Sequence, residues 1–279
     1  MSYAARAAST PWVAEFRDRW ADDPYLVGAP WRRRLDDWLE RRVLRHVAAV
    51  VTVSAPWSRA FAAKFDVPVA TVMNGFDPGE WDGLADAAAP SGLPLRLLHA
   101  GTVYPERRDP QALFEAIELG GFVPEELQLV FCGNHLEYLA EQVNRHDLAA
   151  IVQMRRAVPY REALRLQRQS DVLLLMQWND PTDEGNVPGK VFEYLAARRP
   201  ILGLGPLAGI PARLVRERGA GLFANDPEEI ARQLRQWIEH KRRFGQIADL
   251  PPSVCAGLAR DDQFAILEPF LCRVRATTD

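Results

Sequence analysis

Short apolar runs of strand length alternate with longer segments of helical spacing along this chain. Gly, Pro, Asn or Asp closes each run, and most runs are apolar on both faces, as strands covered by helices on two sides must be. The clearest runs lie at 49–53, 69–73, 95–100, 127–132, 149–154, 171–176, 200–204 and 221–224, and WVAEF at 12–16 is a further candidate strand. The alternation predicts βαβ units and an α/β fold with parallel sheets.

Segments of helical spacing fill the intervals between these strands. They lie at about 31–48, 55–65, 109–119, 135–146, 159–169, 188–198, 208–218 and 227–243. Each begins near a capping residue or a proline and carries an apolar stripe. Right-handed crossovers are then expected to place helices on both faces of the sheets.

A change in composition divides the chain into two α/β blocks. Residues 77–94 are rich in Pro, Gly and Ala and have little periodicity, which predicts a linker. We place the boundary near residue 90, so that residues 1–90 form a partial N-terminal Rossmann-like domain with its linker. Residues 91–245 then form a complete Rossmann-like domain, and 246–279 form a helical tail that can pack back on the first domain.

Charge and cysteine content exclude several classes of protein. The 34 Lys and Arg residues against 37 Asp and Glu give a net charge of −3, which argues against a nucleic-acid partner. Cys132, Cys255 and Cys272 are far apart in the sequence, so neither a disulfide framework nor a metal site is expected. Without a signal sequence or an apolar stretch of membrane-spanning length, a cytoplasmic location is predicted.

Ligands of open α/β sheets bind at the carboxyl ends of strands, so the loops there are the first places to search for a site. The loop after the run 171–176 leads into Pro188 and Gly189, which suit the start of a helix whose amides can face an anion. Lys190 and Glu193 lie on one face of its first turn. The cation can meet a phosphate, and the carboxylate can accept both hydroxyls of a ribose diol. An isolated pair of this spacing is more often a solvated surface pair.

Several segments resemble, in order, the group 1 (family 4) glycosyltransferases, whose GT-B fold has two facing Rossmann-like domains. NVPGKVFEYLAARRPIL resembles their donor-binding segment. VVTVSAPWSRAFAAKF and VATVMNGFDP are similar to the last strands of their N-terminal domain and to a hinge, here at Asn74, Gly75 and Asp77. LRLLHAGTVYPERRDPQALFEAI is similar to the strand, glycine turn and basic loop that open their C-terminal domain. The resemblance covers about residues 11–240 and rests on the order and spacing of these segments as well as on single motifs.

The resemblance implies roles for individual residues. Gly101 would let the backbone approach the donor diphosphate. Arg107 stands where the family usually has a diphosphate-binding lysine, and with Lys190 it would act catalytically by neutralising the departing nucleotide. Gly133 and Asn134 would line the base side, although a glycine after a strand is more often merely a turn.

The chain also departs from the family pattern. Thr102 occupies the place of a common arginine, so that Arg108 would have to supply the missing charge. Of the usual pair of glutamates seven residues apart, Gly185 occupies the first position and Glu184 lies one residue early. Donor-sugar contacts from this loop compete with simple solvation of Glu184. The start of the N-terminal domain, with its characteristic histidine, has no counterpart, and none of the five histidines is assigned as a general base.

The resemblance implies a transferase, retaining in stereochemistry, that moves a sugar from a nucleoside-diphosphate sugar to an acceptor hydroxyl without a required metal or other cofactor. A glycan, a lipid-linked molecule or a small molecule would be the acceptor, as in polysaccharide assembly. One alternative is an inactive nucleotide-sugar-binding subunit that needs a partner chain, or a second copy, at its incomplete N-terminal domain. Another is a sugar-nucleotide epimerase on the same fold.

Two further motifs compete with this interpretation. GLGPLAG at 203–209 follows a strand and opens a helix like a dinucleotide fingerprint, but its glycine spacing is wrong and it comes late in the domain. WRRRLDDWLERRVLRHV at 31–47 combines arginines with tryptophans and leucines, as a helix that contacts the inner face of an anionic membrane does. A helix that packs its apolar stripe on the sheet and solvates its arginines is the favoured interpretation of that segment.

Overall fold

A computed structural model describes residues 10–25, 28–84, 87, 89–105 and 107–276. The chain divides into two compact units. The first comprises Met1–Gly75, Gly185–Val187 and Gly257–Asp279, and the second comprises Phe76–Glu184 and Pro188–Ala256. The change of unit at Gly75 comes earlier than the boundary placed near residue 90. Residues 85, 86 and 88 of the predicted linker lie outside the described residues.

Strands occur where the apolar runs predict them. They are β1 (Val13–Phe16), β2 (Ala49–Thr52), β3 (Val69–Thr71), β4 (Leu95–Ala100), β5 (Leu127–Gly133), β6 (Val152–Arg156), β7 (Val172–Met176), β8 (Ile201–Leu204) and β9 (Gly221–Phe223). Strand β6 begins three residues later than the predicted run at 149–154, because Leu148 and Ile151 close a turn after the preceding helix. All strand pairs of both sheets are parallel.

Helices follow the strands as the crossovers of an α/β fold require. They are α1 (Pro30–Leu44), α2 (Ala55–Lys64), α3 (Gln111–Gly120), α4 (Leu136–Arg145), α5 (Tyr160–Arg168), α6 (Gly189–Ala196), α7 (Ile210–Glu217), α8 (Pro227–Phe244) and α9 (Arg260–Ala276). Short 3-10 helices lie at Pro78–Trp81, Pro181–Asp183 and Pro252–Cys255. Prolines stand at the first positions of several of these elements, where their missing N–H has no helical partner to lose.

The second unit is built on a six-stranded sheet with the order β6-β5-β4-β7-β8-β9. Strand order reverses between β4 and β7, which pair directly although two strands and three helices lie between them in the chain. Leu97, Leu129 and Leu174 lie in one continuous buried core with side chains from the covering helices. The reversal creates a topological switch point, where the loops on either side diverge and leave a crevice.

The first unit contains a three-stranded sheet with the order β1-β2-β3. Its apolar side chains form two small clusters, one on each side of β2, because alternate residues of a strand point to opposite faces. Val50 belongs to the cluster with Leu44 and Phe61, and Val51 belongs to the cluster with Phe270.

Helix α9 supplies part of the first unit although it ends the chain. Phe270 packs with Val51, and the buried Gln263 accepts a hydrogen bond from the Met73 N–H at 3.0 Å. Gly75 lies so close to this segment that a Cβ there would stand 2.8 Å from the Leu258 carbonyl oxygen. The last helix is therefore a structural part of the unit that the first residues form.

Helix α1 does not pack as the favoured interpretation of its sequence predicts. Trp31 is 67% exposed, Leu35 44% and Trp38 54%, so the apolar stripe faces solvent and that interpretation is wrong. Glu40 and Leu44 are buried instead. The Glu40 carboxylate pairs with Lys64 at the end of α2, so an ion pair occupies the inward side of α1.

Candidate functional site

A cavity of about 290 Å³ lies within the second unit, at the carboxyl ends of β4, β5 and β6 and the beginnings of α5 and α6. The cavity adjoins the switch point of the sheet at the end of β4, and the sequence places its candidate ligand loops at this edge. The lining residues are Ala100, Gly101, Thr102, Cys132, Gly133, Asn134, Ala157, Val158, Tyr160, Ala163, Gln167, Lys190 and Glu193. The cavity therefore brings together Gly101, Thr102, Gly133, Asn134, Lys190 and Glu193 of the predicted site.

Two glycines allow the strand ends to approach each other at the floor of the cavity. A Cβ at Gly133 would stand 1.9 Å from the Gly101 carbonyl oxygen, which no side chain can tolerate. The Gly101 N–H donates to the Cys132 carbonyl at 2.8 Å, so the turn after β4 is fixed to the end of β5. A Cβ at Gly101 would in turn meet Lys190 Nζ at 2.6 Å. Gly133 thus lets the two strand ends approach each other, and Gly101 leaves room for the lysine to cross the turn.

Lys190 provides a cation at the beginning of α6. It is the second residue of the helix, directly after Gly189, where free backbone N–H groups also carry partial positive charge. Burial lowers the pKa of the Lys190 ammonium, and Arg108 lowers it further by repulsion, whereas Glu193 opposes the change. An anion in the cavity would compensate both the buried charge and the repulsion. This combination suits a phosphate.

Glu193 provides a carboxylate one turn further along α6. Its Oε2 accepts a hydrogen bond from Gln167 Nε2 at 3.2 Å, and its Oε1 lies 3.4 Å from the Tyr160 hydroxyl. The same hydroxyl donates to Glu80 Oε2 at 2.9 Å. Burial, together with Glu193 and Glu80, raises the pKa of the Tyr160 phenol above its ordinary value, so the hydroxyl keeps its proton at neutral pH.

The remaining predicted residues are outside the cavity lining. The Arg107 guanidinium lies 4.8 Å from the ring centroid of Trp178, and that of Arg108 lies 5.0 Å from the ring centroid of Tyr104. Arg108 is nevertheless near enough to Lys190 to lower its pKa. Gly189 opens helix α6, and a Cβ there would meet nothing within 4 Å.

The two residues that replace the usual first glutamate have structural neighbours. The Glu184 carbonyl accepts a hydrogen bond from the Ile210 N–H at 3.1 Å. Gly185 is grouped with the first unit, where a Cβ on it would stand 2.5 Å from Trp57 Nε1. The close packing at Gly185 gives a reason for a glycine at this position that is independent of any ligand.

Sequence reasoning missed the contribution of the loop after β6 and of α5. The cavity lining includes Ala157, Val158, Tyr160 and Gln167. The apolar run predicts β6 three residues too early, so the loop after this strand is not among the predicted ligand loops. Within YREALRLQR, Tyr160 and Gln167 look like ordinary polar residues of an amphipathic helix. The available signal was Ala157 and Pro159, which directly precede that segment and mark a strand end followed by a helix.

The glycine-rich motif at 203–209 begins within β8, continues into the turn after it and is not part of the cavity lining. The Asn225 side chain accepts from the Gly205 N–H at 2.9 Å and donates to the Gly205 carbonyl at 2.8 Å. Because this amide occupies both backbone groups, the turn is closed on itself, which disfavours its interpretation as a dinucleotide site.

Two kinds of feature are absent from the part of the chain that the structure describes. No helix there is long and apolar enough to cross a membrane. Likewise, no three His, Cys, Asp or Glu side chains of those residues are grouped as metal ligands.

A lysine at a helix start and a carboxylate one turn further along therefore lie together at the carboxyl edge of a parallel sheet, where the ligands of open α/β proteins bind. Residues 1–75 match the family model of the glycosyl transferase 4-like domain. No curated protein matches the chain. Over residues 1–75, the family-model match confirms the resemblance to group 1 glycosyltransferases that the motifs indicate.

Solved structures of glycosyltransferases share the fold. HepE of Anabaena, crystallised with UDP and glucose, is 16% identical, with 97% of this chain and 74% of that chain covered and a TM-score of 0.69. Sucrose-phosphate synthase of Thermosynechococcus elongatus is 13% identical over 99% of this chain and 72% of that chain, with a TM-score of 0.62. Pneumococcal GtfA, in complex with UDP and GlcNAc, is 14% identical over 82% and 46%, with a TM-score of 0.58. The expected GT-B fold is confirmed.

Proposed function

We propose that this chain transfers a sugar from a nucleoside-diphosphate sugar to an acceptor hydroxyl and that the cavity of the second unit holds the nucleotide. The observation that carries the proposal is that Lys190, at the beginning of α6, and Glu193, one turn further along, both line this cavity. A cation and helix amides suit a diphosphate, and a carboxylate suits the diol of a ribose.

Each group has a role in the proposed reaction. Lys190 and the amides of α6 bind the diphosphate and stabilise the charge that it gains when the bond to the sugar breaks. Arg107 adds a second cation to the leaving group, and Arg108, beside Lys190, supplies charge where Thr102 replaces the arginine of the family. Retention of configuration and a reaction without a metal are parts of this proposal.

The other predicted residues are proposed to surround the rest of the donor. Gly101 and Gly133 leave the backbone accessible at the phosphates and on the base side, and Asn134 borders the base. Glu184 and Gly185 are proposed to lie on the sugar side, where the family has its first glutamate. UDP and UDP-glucose are the first probes to try, because HepE was crystallised with both.

Calorimetric titration with UDP tests the proposed donor site. We expect micromolar binding that Lys190→Ala and Glu193→Ala each weaken at least about tenfold, because each removes a charged hydrogen-bond partner. Arg213 and Glu217 form an exposed ion pair on α7 at 3.9 Å, so Arg213→Ala and Glu217→Ala are matched controls that should bind UDP normally. Unchanged affinity in both site variants would place the nucleotide elsewhere.

Turnover separates the proposal from its two alternatives. A transferase consumes UDP-glucose and releases UDP in the presence of an acceptor. An inactive subunit binds UDP-glucose but does not convert it to UDP. An epimerase would return a changed nucleotide sugar and need no acceptor. Chromatography of the reaction mixture distinguishes all three outcomes.

We also propose that α1 attaches the protein to an anionic membrane surface, where a lipid-linked acceptor would be presented. Trp31, Leu35 and Trp38 are exposed at positions that share one helix face. The Arg42 guanidinium lies 5.5 Å from the Trp38 ring centroid. Indole rings beside arginines suit the headgroup region of anionic lipids.

Charge supports a lipid occupant for this face of α1. Arg34 and Arg45 are exposed as well. Two of the three acidic side chains of the helix turn towards Lys64, and the third, Asp36, lies 4.0 Å from Arg32. Asp37 lies 2.7 Å from Lys64 Nζ, and Glu40 is buried against the same lysine. The outward face therefore combines aromatic and cationic side chains that complement anionic lipid headgroups.

Cosedimentation with vesicles tests the lipid proposal. We expect binding to vesicles that contain phosphatidylglycerol, weaker binding to pure phosphatidylcholine, and loss of binding in the Trp31→Ser/Trp38→Ser variant. Phe264→Ser/Leu271→Ser is the control, because α9 exposes these apolar residues beside acidic ones. Equal binding of the tryptophan variant and the wild type would contradict the proposal, as would binding that ignores lipid charge.

A further inference from the structure

Four side chains lie in a row beside the cavity, each within hydrogen-bond distance of the next, from Gln167 through Glu193 and Tyr160 to Glu80. We infer that Gln167, Tyr160 and Glu80 are positioning residues that hold the Glu193 carboxylate ready for two hydroxyls, and that they make the site select ribonucleotides over deoxyribonucleotides. The inference rests on the proposed nucleotide site and specifies how that site distinguishes the sugar of the nucleotide.

Gln167 fixes the plane of the carboxylate. Its side chain is only 1% exposed, so its rotamer is constrained by the surrounding core. Its Nε2 donates to Glu193 Oε2 at 3.2 Å, which orients a carboxylate that would otherwise rotate freely about its last bond. Both side chains line the cavity, so the orientation acts where a ligand would bind.

Tyr160 and Glu80 determine whether Glu193 Oε1, the other oxygen of the carboxylate, is free to accept a hydrogen bond from a ligand. A phenol has one proton, and the Tyr160 hydroxyl lies 2.9 Å from Glu80 Oε2 but 3.4 Å from Glu193 Oε1. The shorter contact takes the proton. Glu193 Oε1 thereby keeps its lone pairs for a ligand, and Glu80 acts on the cavity through the tyrosine without lining it.

Glu193 Oε1 is available as an acceptor, and Oε2 accepts only the hydrogen bond from Gln167 at 3.2 Å. An oriented carboxylate of this kind matches a cis diol, whose two hydroxyls both donate. A deoxyribose lacks one of these donors and would leave a charged acceptor without its partner. A site built to hydrogen-bond a hydroxyl rejects the analogue that lacks it. We expect UDP to bind roughly tenfold to a hundredfold more tightly than 2′-deoxy-UDP, as the loss of a hydrogen bond to a charged group implies.

The affinity ratio of UDP to 2′-deoxy-UDP, measured by calorimetry, tests the role of Gln167. In Gln167→Leu we expect the ratio to fall towards one, whereas binding of inorganic pyrophosphate stays at the wild-type value. Gln142→Leu is the matched control, because Gln142 is also a buried glutamine on a helix but contacts Arg145 instead. A ratio that Gln167→Leu leaves at the wild-type value would overturn the inference.

A double-mutant cycle tests the indirect action of Glu80. In Glu80→Ala the Tyr160 hydroxyl is free to donate to Glu193 Oε1, so it competes with the ribose and lowers the ratio. In a Tyr160→Phe background, the same Glu80→Ala change should have no further effect. An effect of Glu80→Ala that persists in that background would show that Glu80 does not act through Tyr160.

The outcomes also separate this inference from the proposed function. Binding of UDP and 2′-deoxy-UDP with equal affinity by the wild type would overturn the inference and leave the nucleotide site intact. Absence of UDP binding altogether would overturn the proposed function together with the inference. Melting temperatures of all variants, measured in parallel, identify any that fail to fold.

Discussion

His99 is a buried histidine beneath the turn that carries Gly101. Its Nδ1 donates to the Leu174 carbonyl at 3.0 Å, so the neutral ring carries its proton on that nitrogen. Burial lowers the pKa of His99 to about 4, and the nearby charges of Lys190 and Arg108 act in the same direction. A charged imidazole at this position would therefore oppose folding.

The depressed pKa of His99 predicts that the protein loses stability on mild acidification. The unfolded chain takes up the proton near pH 6.5 and the folded chain only near pH 4, so the free energy of unfolding falls as the pH drops through that window. The contribution is on the order of 3 kcal/mol. Urea unfolding at pH 7, 5.5 and 4 should show a shallower loss for His99→Leu than for the wild type. Identical pH dependence of the two proteins would contradict this.

The site shows which residue-scale features a sequence can reveal. Lys190 and Glu193 were predictable because their spacing on one helix and the Pro-Gly start before them are local properties. Tyr160 and Gln167 were not, since their contacts with Glu193 depend on packing between two helices of the sheet's flank. The resemblance implies Gly133 on the base side of the ligand, with a simple turn as the alternative, but its packing against the Gly101 carbonyl depends on contacts between strand ends that no local pattern encodes.

At the scale of elements, a buried ion pair connects α8 to the sheet. Lys241 is fully buried; it donates to the Asp171 carboxylate just before β7 and to the Pro94 carbonyl just before β4 at 3.0 Å. The next residue, Arg242, forms a comparable pair with Glu126 at 2.7 Å on the exposed side of the same helix. Lys241 and Arg242 thus allow a buried ion pair to be compared with an exposed one on the same helix.

Removal of the buried cation should be far more costly than removal of the exposed one. We expect Lys241→Met to lower the free energy of unfolding by about 3–5 kcal/mol, because it leaves the buried Asp171 charge with only the Arg96 N–H and the Arg199 guanidinium, 3.9 Å away, to compensate it. Arg242→Met should cost about 0–1 kcal/mol. Chemical denaturation measures both, and similar costs for the two variants would contradict the assignment. Asp171→Leu combined with Lys241→Met should recover most of the loss.

Element boundaries also show where sequence patterns lose information. β4 is predicted to the residue, because its apolar run is flanked by Pro94 and Gly101. β6 is an edge strand whose exposed residues include Gln153 and Arg155, so its apolar run is displaced into the preceding turn. The stripe of α1 is visible in the sequence, but a stripe alone does not tell whether protein or solvent lies against it.

At the scale of the whole molecule, the two units differ in how much core supports them. The second has six strands over one large continuous core, whereas the first has three strands and two small clusters. Opening should therefore require less free energy in the first unit. We predict faster amide hydrogen exchange for residues 10–75 than for 95–225, measured by mass spectrometry of peptides. Uniform protection across both ranges would contradict this.

The return of α9 to the first unit has a consequence for synthesis on the ribosome. Domains usually complete their folding in the order in which the chain emerges. Here the second unit is fully translated once Ala256 has emerged, whereas the first unit still lacks Phe270 and Gln263, which contact its sheet. Residues 10–75 are consequently completed as a folded unit only after the whole of the second unit has been translated.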